Sequence, residues 1–232
     1  METDQLLRAL KGGLIVSCQP DANNPRLDPM NRPEIMAALA QSAILGGAVA
    51  IRADSPAHIA AIRAVVQTPI IGIYKQDLSG FTVRITPTVE HALATAQAGA
   101  DFIAVDGTAR SRPQGQDAAD FIRQVMIATG KPVMADIATV EEGILAAQAG
   151  VCAVLTTLSG YTADSPLQEE PDYELISHLA HVLHTPVIAE GRINSPAQAA
   201  RALQSGAWAV TVGSAITRPR LITEQFVKGL SA

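Results

Sequence analysis

The run TVEHALATAQAGADFIAVDGT, residues 88–108, decides the fold. An alanine-rich stretch carries apolar residues at helical spacing, halts at Gly99, and resumes as FIAVD, a short apolar run ending in a carboxylate. Apolar residues recurring every three to four positions mark one face of a helix, and a brief continuous apolar run marks a buried strand. The same pattern recurs in EIMAALAQSAILGGAVAIRA (34–53), TVEEGILAAQAGVCAVLTTLS (139–159) and SPAQAARALQSGAWAVTVGSA (195–215). Their small-residue stops, Gly47, Gly99, Gly150 and Gly206, lie 52, 51 and 56 residues apart. Between them falls a second unit, in which Thr-Pro or Lys-Pro opens the strand: TPIIGIYK (68–75), KPVMADIA (131–138) and TPVIAEG (185–191). KGGLIVSCQ (11–19) begins that series. Glycine supplies the positive φ that closes a helix, and proline ends a helix and starts an extended segment.

Working outward, the pattern predicts eight strands, near residues 13–19, 48–53, 69–75, 102–108, 132–138, 153–158, 186–191 and 209–215, with helical segments between them. Ser55-Pro56 and Ser195-Pro196 carry the N-cap-plus-proline signature of a helix start, and Thr139 with Glu142 has the spacing of a capping box. Eight strand–helix units point to an α/β protein, a single-domain closed (β/α)8 TIM barrel over residues 1–232. The rival, a doubly wound open sheet, usually has fewer strands and marks a dinucleotide site with G-x-G-x-x-G after strand one, which is absent here.

Composition agrees. The chain has 232 residues, 48% of them apolar, which is enough for a substantial core and excludes a disordered chain. With 4 Phe, 3 Tyr and 1 Trp, the core falls to alanine and short aliphatics. A net charge of −5 without any run of Lys or Arg argues against nucleic acid and membrane surfaces as partners. METDQLLRALKGG lacks the uncharged core of a signal peptide. The uncharged stretches 35–51 and 143–163 each break at glycine and read as a buried helix running into a buried strand. Cys18 and Cys152 form no disulfide framework, so a reduced, cytoplasmic setting is expected.

Loop lengths locate the working face. Connections into strands are terse (AGA, TP, SGA), whereas PDANNPRLDPMNRP, GTARSRPQGQ and SGYTADSPLQEEPD, after strands one, four and six, are long and polar. Barrel active sites lie on the loops at the C-terminal strand ends. Those ends deliver Gln19, Arg52, Lys75, Asp106, Asp136, Glu190-Gly191-Arg192 and Gly213-Ser214. Any one charge reads as an ion pair bracing the barrel; converging, they read as a polar site in an apolar cup.

Lys75 directly follows a buried strand, where desolvation and nearby Arg52 lower its pKa toward that of a general base. Read alone, it is a lysine snorkelling to solvent. Glu190 arrives from across the barrel, so the two flank a small molecule and move protons on it, or form a structural pair. Asp106 and Asp136 either bind substrate hydroxyls or orient Lys75. In VTVGSAITRP (210–219), Gly213 and Ser214 offer backbone N–H groups to a phosphate and Arg218 adds a fork of donors, with Gly191 and Arg192 at the same end. His178, His181 and His184 spread over nearly two helical turns and share no face, and zinc spacing is absent, so no metal is expected. Trp208 reads as a packing residue and Cys18 as a small buried hydrophobe.

Taken in order, GGLIVSCQ, AVAIRA, PIIGIYK, FIAVDGT, VMADIAT, TTLSGYT, VIAEGRI and VTVGSAITRP resemble the bacterial N-acetylmannosamine-6-phosphate 2-epimerase family from about Lys11 to Arg220. The resemblance implies a cofactor-free, metal-free epimerase acting on a small phosphorylated amino sugar in sialic-acid catabolism. It implies Lys75 as catalytic base and Glu190 as its acidic partner. It gives Gln19, Arg52, Asp106 and Asp136 to the sugar or to support of the lysine, and Gly191, Arg192, Gly213, Ser214 and Arg218 to the phosphate. The Asn-rich PDANNPRLDP is longer than the family pattern and bears on a lid. A lysine Schiff-base aldolase or lyase, or a non-catalytic sugar-phosphate-binding subunit, remains open on the residues alone. A homodimer is expected because barrel enzymes often pair.

Overall fold

The four repeat glycines each turn the chain out of a helix and into a strand. Gly47, Gly99, Gly150 and Gly206 take φ of +98°, +104°, +98° and +103°, a left-handed conformation that strains any side chain. In the computed structural model, which describes residues 2–21 and 28–230, this device recurs around a closed barrel. The elements in chain order are α1 (Thr3–Leu10), β1 (Leu14–Cys18), α2 (Pro33–Leu45), β2 (Ala50–Asp54), α3 (Pro56–Arg63), β3 (Ile70–Ile73), α4 (Val89–Gln97) and β4 (Phe102–Asp106). There follow α5 (Ala118–Thr129), β5 (Val133–Asp136), α6 (Val140–Ala149), β6 (Ala153–Leu155), α7 (Tyr173–Val182), β7 (Val187–Glu190), α8 (Pro196–Gln204), β8 (Ala209–Val212), α9 (Ser214–Thr217) and α10 (Pro219–Leu230). All eight strands pair in parallel with their sequence neighbours, and β8 closes on β1 through Ile15 opposite Thr211. The (β/α)8 barrel read from the repeats is the observed fold.

Strand alternation sorts the side chains. Val16, Ile51, Ala53, Ile70, Ile103, Val133 and Val154 face the helices in one apolar layer. Ile15, Ala50, Ile71, Phe102, Met134, Ala153, Ile188 and Ala209 fill the barrel interior with Leu6, Leu7 and Leu10 of α1, which stopper its N-terminal end. Trp208 belongs to that stopper: its Nε1 donates to Leu7 O at 2.8 Å and Lys11 lies over its ring. It is a packing residue, as read. Gly72 is required by packing, since a Cβ there would meet Thr95 Cγ2 at 2.5 Å and Ala100 Cβ at 2.6 Å.

The capping box at Thr139 and Glu142 and the Ser195 cap are present. Ser55-Pro56 also marks a helix start as read, with Ser55 in the N-cap position and Pro56 opening α3, though Ser55 sits at φ +75° and its side chain caps nothing. All strands but β2 end sooner than expected, β3, β6 and β8 with visible causes. β3 stops at Ile73, and Lys75 forms an antiparallel bridge with Ile85. The connection to α4 folds back here: Thr86 N donates to Tyr74 O (3.1 Å), Gln76 N to Arg84 O (3.0 Å) and Asp106 N to Ile85 O (3.0 Å). It therefore wedges between the tops of β3 and β4. β6 yields after three residues to a 3₁₀ turn, Thr156–Leu158, where Thr156 Oγ1 takes over the ladder by accepting from Glu190 N and donating to Glu190 O. β8 ends at Val212 because Ser214 already starts the short α9.

Candidate active site

Period-two alternation continues above the apolar interior and brings the polar residues to one mouth. Ile15 is followed on its own face by Ser17 and Gln19, Ala50 by Arg52, Ile71 and Ile73 by Lys75, Ile188 by Glu190, and Ala209 by Thr211 and Gly213. These residues line a cavity of about 720 Å³, within the usual range for small-molecule sites. Gly191, Arg192, Ser214 and Arg218 line it too.

Lys75 is held by its tip. Its Nζ donates to Gln19 Oε1 at 2.7 Å, and Gln19 Nε2 donates onward to Ser17 Oγ at 2.8 Å. Burial pushes the amine below the ordinary lysine range; Asp54 pulls it back up, Arg52 and Arg218 push it down, and Glu190 opposes them. The expected influence of desolvation and Arg52 is thus present, with Asp54 and Arg218 added.

Arg52, 1% exposed, organises the opposite wall. Its Nη2 donates to Asp136 Oδ2 at 2.7 Å, and its Nη1 donates to Glu190 Oε2 and to Thr157 Oγ1 (3.1 Å). Thr157 Oγ1 in turn donates to Asp136 Oδ1. Burial alone lowers an arginine's pKa, yet Asp136 and Glu190 more than offset it here and raise Arg52 above its usual value. Burial also pushes Glu190 above the ordinary carboxylate range: Arg52 pulls it down, and neighbouring Asp136 pushes it up.

Asp106 and Asp136, read as binding the sugar or supporting the lysine, are both engaged by the protein itself. Both stand behind the cavity wall, at 1% and 0% exposure, with their oxygens occupied by protein donors. Asp136 serves Arg52 and Thr157. Asp106 accepts from Thr108 N (3.0 Å), Thr108 Oγ1 (2.6 Å), Arg110 Nη2 (2.5 Å) and Arg112 Nη2 (3.3 Å). Neither orients Lys75 directly; each holds an arginine that lines the cavity, Arg52 or Arg110.

At the other rim, Gly213 is the N-cap of α9 and Gly191 takes φ +113°. Arg218 Nη1 donates to Ser214 Oγ (3.2 Å) and its Nη2 to Pro20 O (3.4 Å), while its Nε is buried without a hydrogen-bond partner among the described residues. Thr211 Oγ1 and Arg52 Nε on the cavity floor are likewise buried with no hydrogen-bond partner among the described residues. The Arg192 guanidinium also reaches the loop after β6: Nε donates to Glu170 O (2.9 Å), Nη1 to Ser159 O (2.8 Å), and its face covers Tyr161. It fastens the loop after β6, leaving Arg218 as the cation beside Ser214. The PDANNPRLDP lid reading falls largely on residues 22–27, outside the described residues.

The sequence reading passed over several lining residues. Arg84, Ile85 and Thr82 arrive on the wedge between β3 and β4, which no periodicity announces. Arg110 stood in the quoted GTARSRP loop without a sign of which arginine faces inward. Thr157 was detectable, since it continues the Ala153, Leu155 face of β6. Burial pushes the Cys18 thiol up to about 12, consistent with an inert hydrophobe on the helix side of β1.

The family model described as "Putative N-acetylmannosamine-6-phosphate epimerase" matches residues 36–232. A relative from Thermosynechococcus vestitus, described as the corresponding 2-epimerase, is 48% identical over 98% of this chain and 97% of its own length. One of the same description from Salmonella typhimurium is 49% identical over 93% and 91%. A solved N-acetylmannosamine-6-phosphate 2-epimerase from Clostridium perfringens superposes with a TM-score of 0.90 at 41% identity, covering 96% of this chain and 95% of that one. A thiamine phosphate pyrophosphorylase from Pyrococcus furiosus, with a TM-score of 0.60 at 19% identity over 95% and 98%, shares the fold alone. With its mouth so built and its likeness running nearly end to end, the chain belongs to the N-acetylmannosamine-6-phosphate 2-epimerase family.

Proposed function

We propose that this chain interconverts N-acetylmannosamine 6-phosphate and N-acetylglucosamine 6-phosphate by removing and returning the proton at C2, with Lys75 as the base. The observation that carries the reading is the Lys75 amine, set among Gln19, Arg52, Asp54 and Glu190 with burial lowering its pKa, at the mouth of an otherwise apolar barrel. In the closed ring the C2 proton is not acidic. In the open chain it lies α to the C1 aldehyde, and neutral Lys75 takes it while the C–H electrons become the C1–C2 double bond of an enolate. Return of the proton to one face restores the starting sugar, and return to the other gives its epimer. Acid–base catalysis of this kind contributes about 10²–10⁴-fold.

Arg52 and Glu190 stand beside the developing enolate oxygen, and the unpartnered Arg52 Nε and Thr211 Oγ1 are polar atoms that a bound sugar satisfies. Arg218 and Ser214, with the main chain at Gly213 and Gly191, anchor the phosphate, which fixes C2 relative to Lys75. Asp106 and Asp136 act through Arg110 and Arg52. The proposal includes sialic-acid catabolism as the setting and a cytoplasmic location, in keeping with free thiols at Cys18 and Cys152. Among the described residues no helix is long and apolar enough to cross a membrane. It also includes a homodimer, for which α10 offers exposed Phe226 and Leu230; size-exclusion chromatography with light scattering reads this directly.

Proton NMR of N-acetylmannosamine 6-phosphate with the protein in D2O tests the chemistry. Loss of the C2 proton signal together with appearance of the second epimer, both abolished in a folded Lys75→Ala variant, is the expected result. Folded wild-type protein giving neither exchange nor epimer removes the reading.

A further inference from the structure

Asp54 is a carboxylate beside Lys75 to which the chemistry above gives no task, and the chain goes to some length to fix it. Strand pairing sets Asp54 opposite Ile73, two residues short of Lys75, and Asp54 Oδ1 accepts from the Lys75 main-chain N–H at 2.9 Å. The Asp54 carbonyl accepts from His58 Nδ1 at 3.0 Å, so that ring nitrogen carries the hydrogen. The next residue, Ser55, donates its N–H to Ile73 O at 2.9 Å and is held at φ +75°. A serine rarely takes this conformation, and no side-chain cap hydrogen bond to α3 compensates for it. The outcome is a carboxylate aimed at the base of Lys75.

The groups around the Lys75 amine come from four strands: Gln19 beyond β1, Arg52 and Asp54 from β2, Glu190 from β7, and Arg218 beyond β8. His58 of α3 stands behind Asp54. Of the two carboxylates, Asp54 is bonded to the main chain of Lys75 itself, whereas Glu190 is engaged by Arg52; both pull the amine's pKa upward. A base facing two arginines in a desolvated wall is neutral but weak unless an anion restores its proton affinity.

We propose that Asp54 is a positioning residue for Lys75, fixing the lysine's main chain and supplying the negative charge that keeps its amine a strong enough base to take the C2 proton. The inference rests on the reading of Lys75 as the base.

The test is the pH profile of kcat/KM for epimerisation, measured on wild type, Asp54→Asn and Asp54→Ser with folding checked by circular dichroism. Asparagine keeps an oxygen for the Lys75 N–H and loses only the charge. With the anion gone, the amine becomes neutral at lower pH, so the acid limb moves down in both variants while kcat falls about tenfold. KM stays nearly constant, and Asp54→Glu, which keeps the charge, leaves the limb close to its wild-type position. If Asp54 serves only as a main-chain acceptor, the limb in Asp54→Asn does not move, and that result in either folded neutral variant overturns the proposal. Lys75→Ala separates the two readings. An active Lys75→Ala removes the base assignment itself, whereas an inactive one with an unmoved Asp54→Asn limb removes Asp54 alone.

Discussion

The Nζ of Lys75 and the Oε1 of Gln19 are joined at 2.7 Å across the tops of β3 and β1, two strands that do not touch as neighbours. The amide is itself anchored, through Nε2, on Ser17 Oγ. A flexible four-carbon side chain is thereby held in one place by a neutral acceptor that imposes no charge on it. Gln19→Leu removes the acceptor and is expected to lower kcat about 10²-fold with little change in KM, because misplacing a reacting group costs rate more than binding. Gln19→Glu instead adds an anion beside the amine and moves the acid limb of the kcat/KM profile to higher pH. Steady-state epimerisation across pH measures both.

Arg52 keeps two carboxylates company in the barrel wall. Arg52→Met leaves Asp136, which is fully buried, and Glu190 without their cation, and such a change typically costs about 3–5 kcal/mol. Urea unfolding is expected to show that loss along with loss of activity. Restoring neutrality with Asp136→Asn in the same chain recovers part of the stability and none of the activity.

Glu190 carries a pH signature. Burial raises its folded-state pKa above the ordinary value of 4.5, so the folded state binds the proton more tightly than the unfolded chain does. Its contribution to stability is therefore complete below 4.5 and is lost as pH rises through the raised folded-state value. Glu190→Gln, which cannot titrate, is expected to flatten the stability–pH curve above 4.5. Thermal melts of the two proteins across mildly acidic to neutral pH make the comparison.

Arg218→Met addresses the phosphate anchor. Binding energy from a group remote from C2 is shared by ground and transition states, so KM is expected to rise about 10–100-fold with kcat nearly kept. Competitive inhibition by inorganic phosphate weakens in parallel. Arg192→Met acts through the loop after β6, and greater proteolytic cleavage between residues 159 and 170 marks its different role.

Leu10 lies at the far end of the barrel and is fully buried. Leu10→Ala is expected to cost about 2–5 kcal/mol in chemical unfolding while leaving kcat and KM at 25 °C unchanged. Stability and chemistry occupy opposite ends of this fold.

Glycine stops, proline starts and alternating faces made the barrel readable from the chain. The same alternation carried Gln19, Arg52, Lys75 and Glu190 to the cavity, because a strand's parity propagates to its last residue. It says less where side chains choose partners beyond the strand. Parity put Asp106 and Asp136 on the interior face, and only the structure shows which arginines they hold. Arg192 lay at the expected end, but its guanidinium turns toward carbonyls of a loop far away in sequence. The wedge bearing Arg84 depends on an antiparallel return between two parallel strands, and no local pattern encodes that pairing. Ser55 carried a helix-start signature and does begin α3, but its left-handed backbone was not legible.

With α1 filling the lower end of the barrel, the cavity lies at the upper end. On the proposed phosphate site at Arg218 and Ser214, both epimers take one seat and one phosphate clasp. Each sugar is then a competitive inhibitor of the other's conversion. The protein has no built-in sense of direction: the traffic it supports follows the ratio of the two sugars outside, and whatever consumes one of them sets the flow.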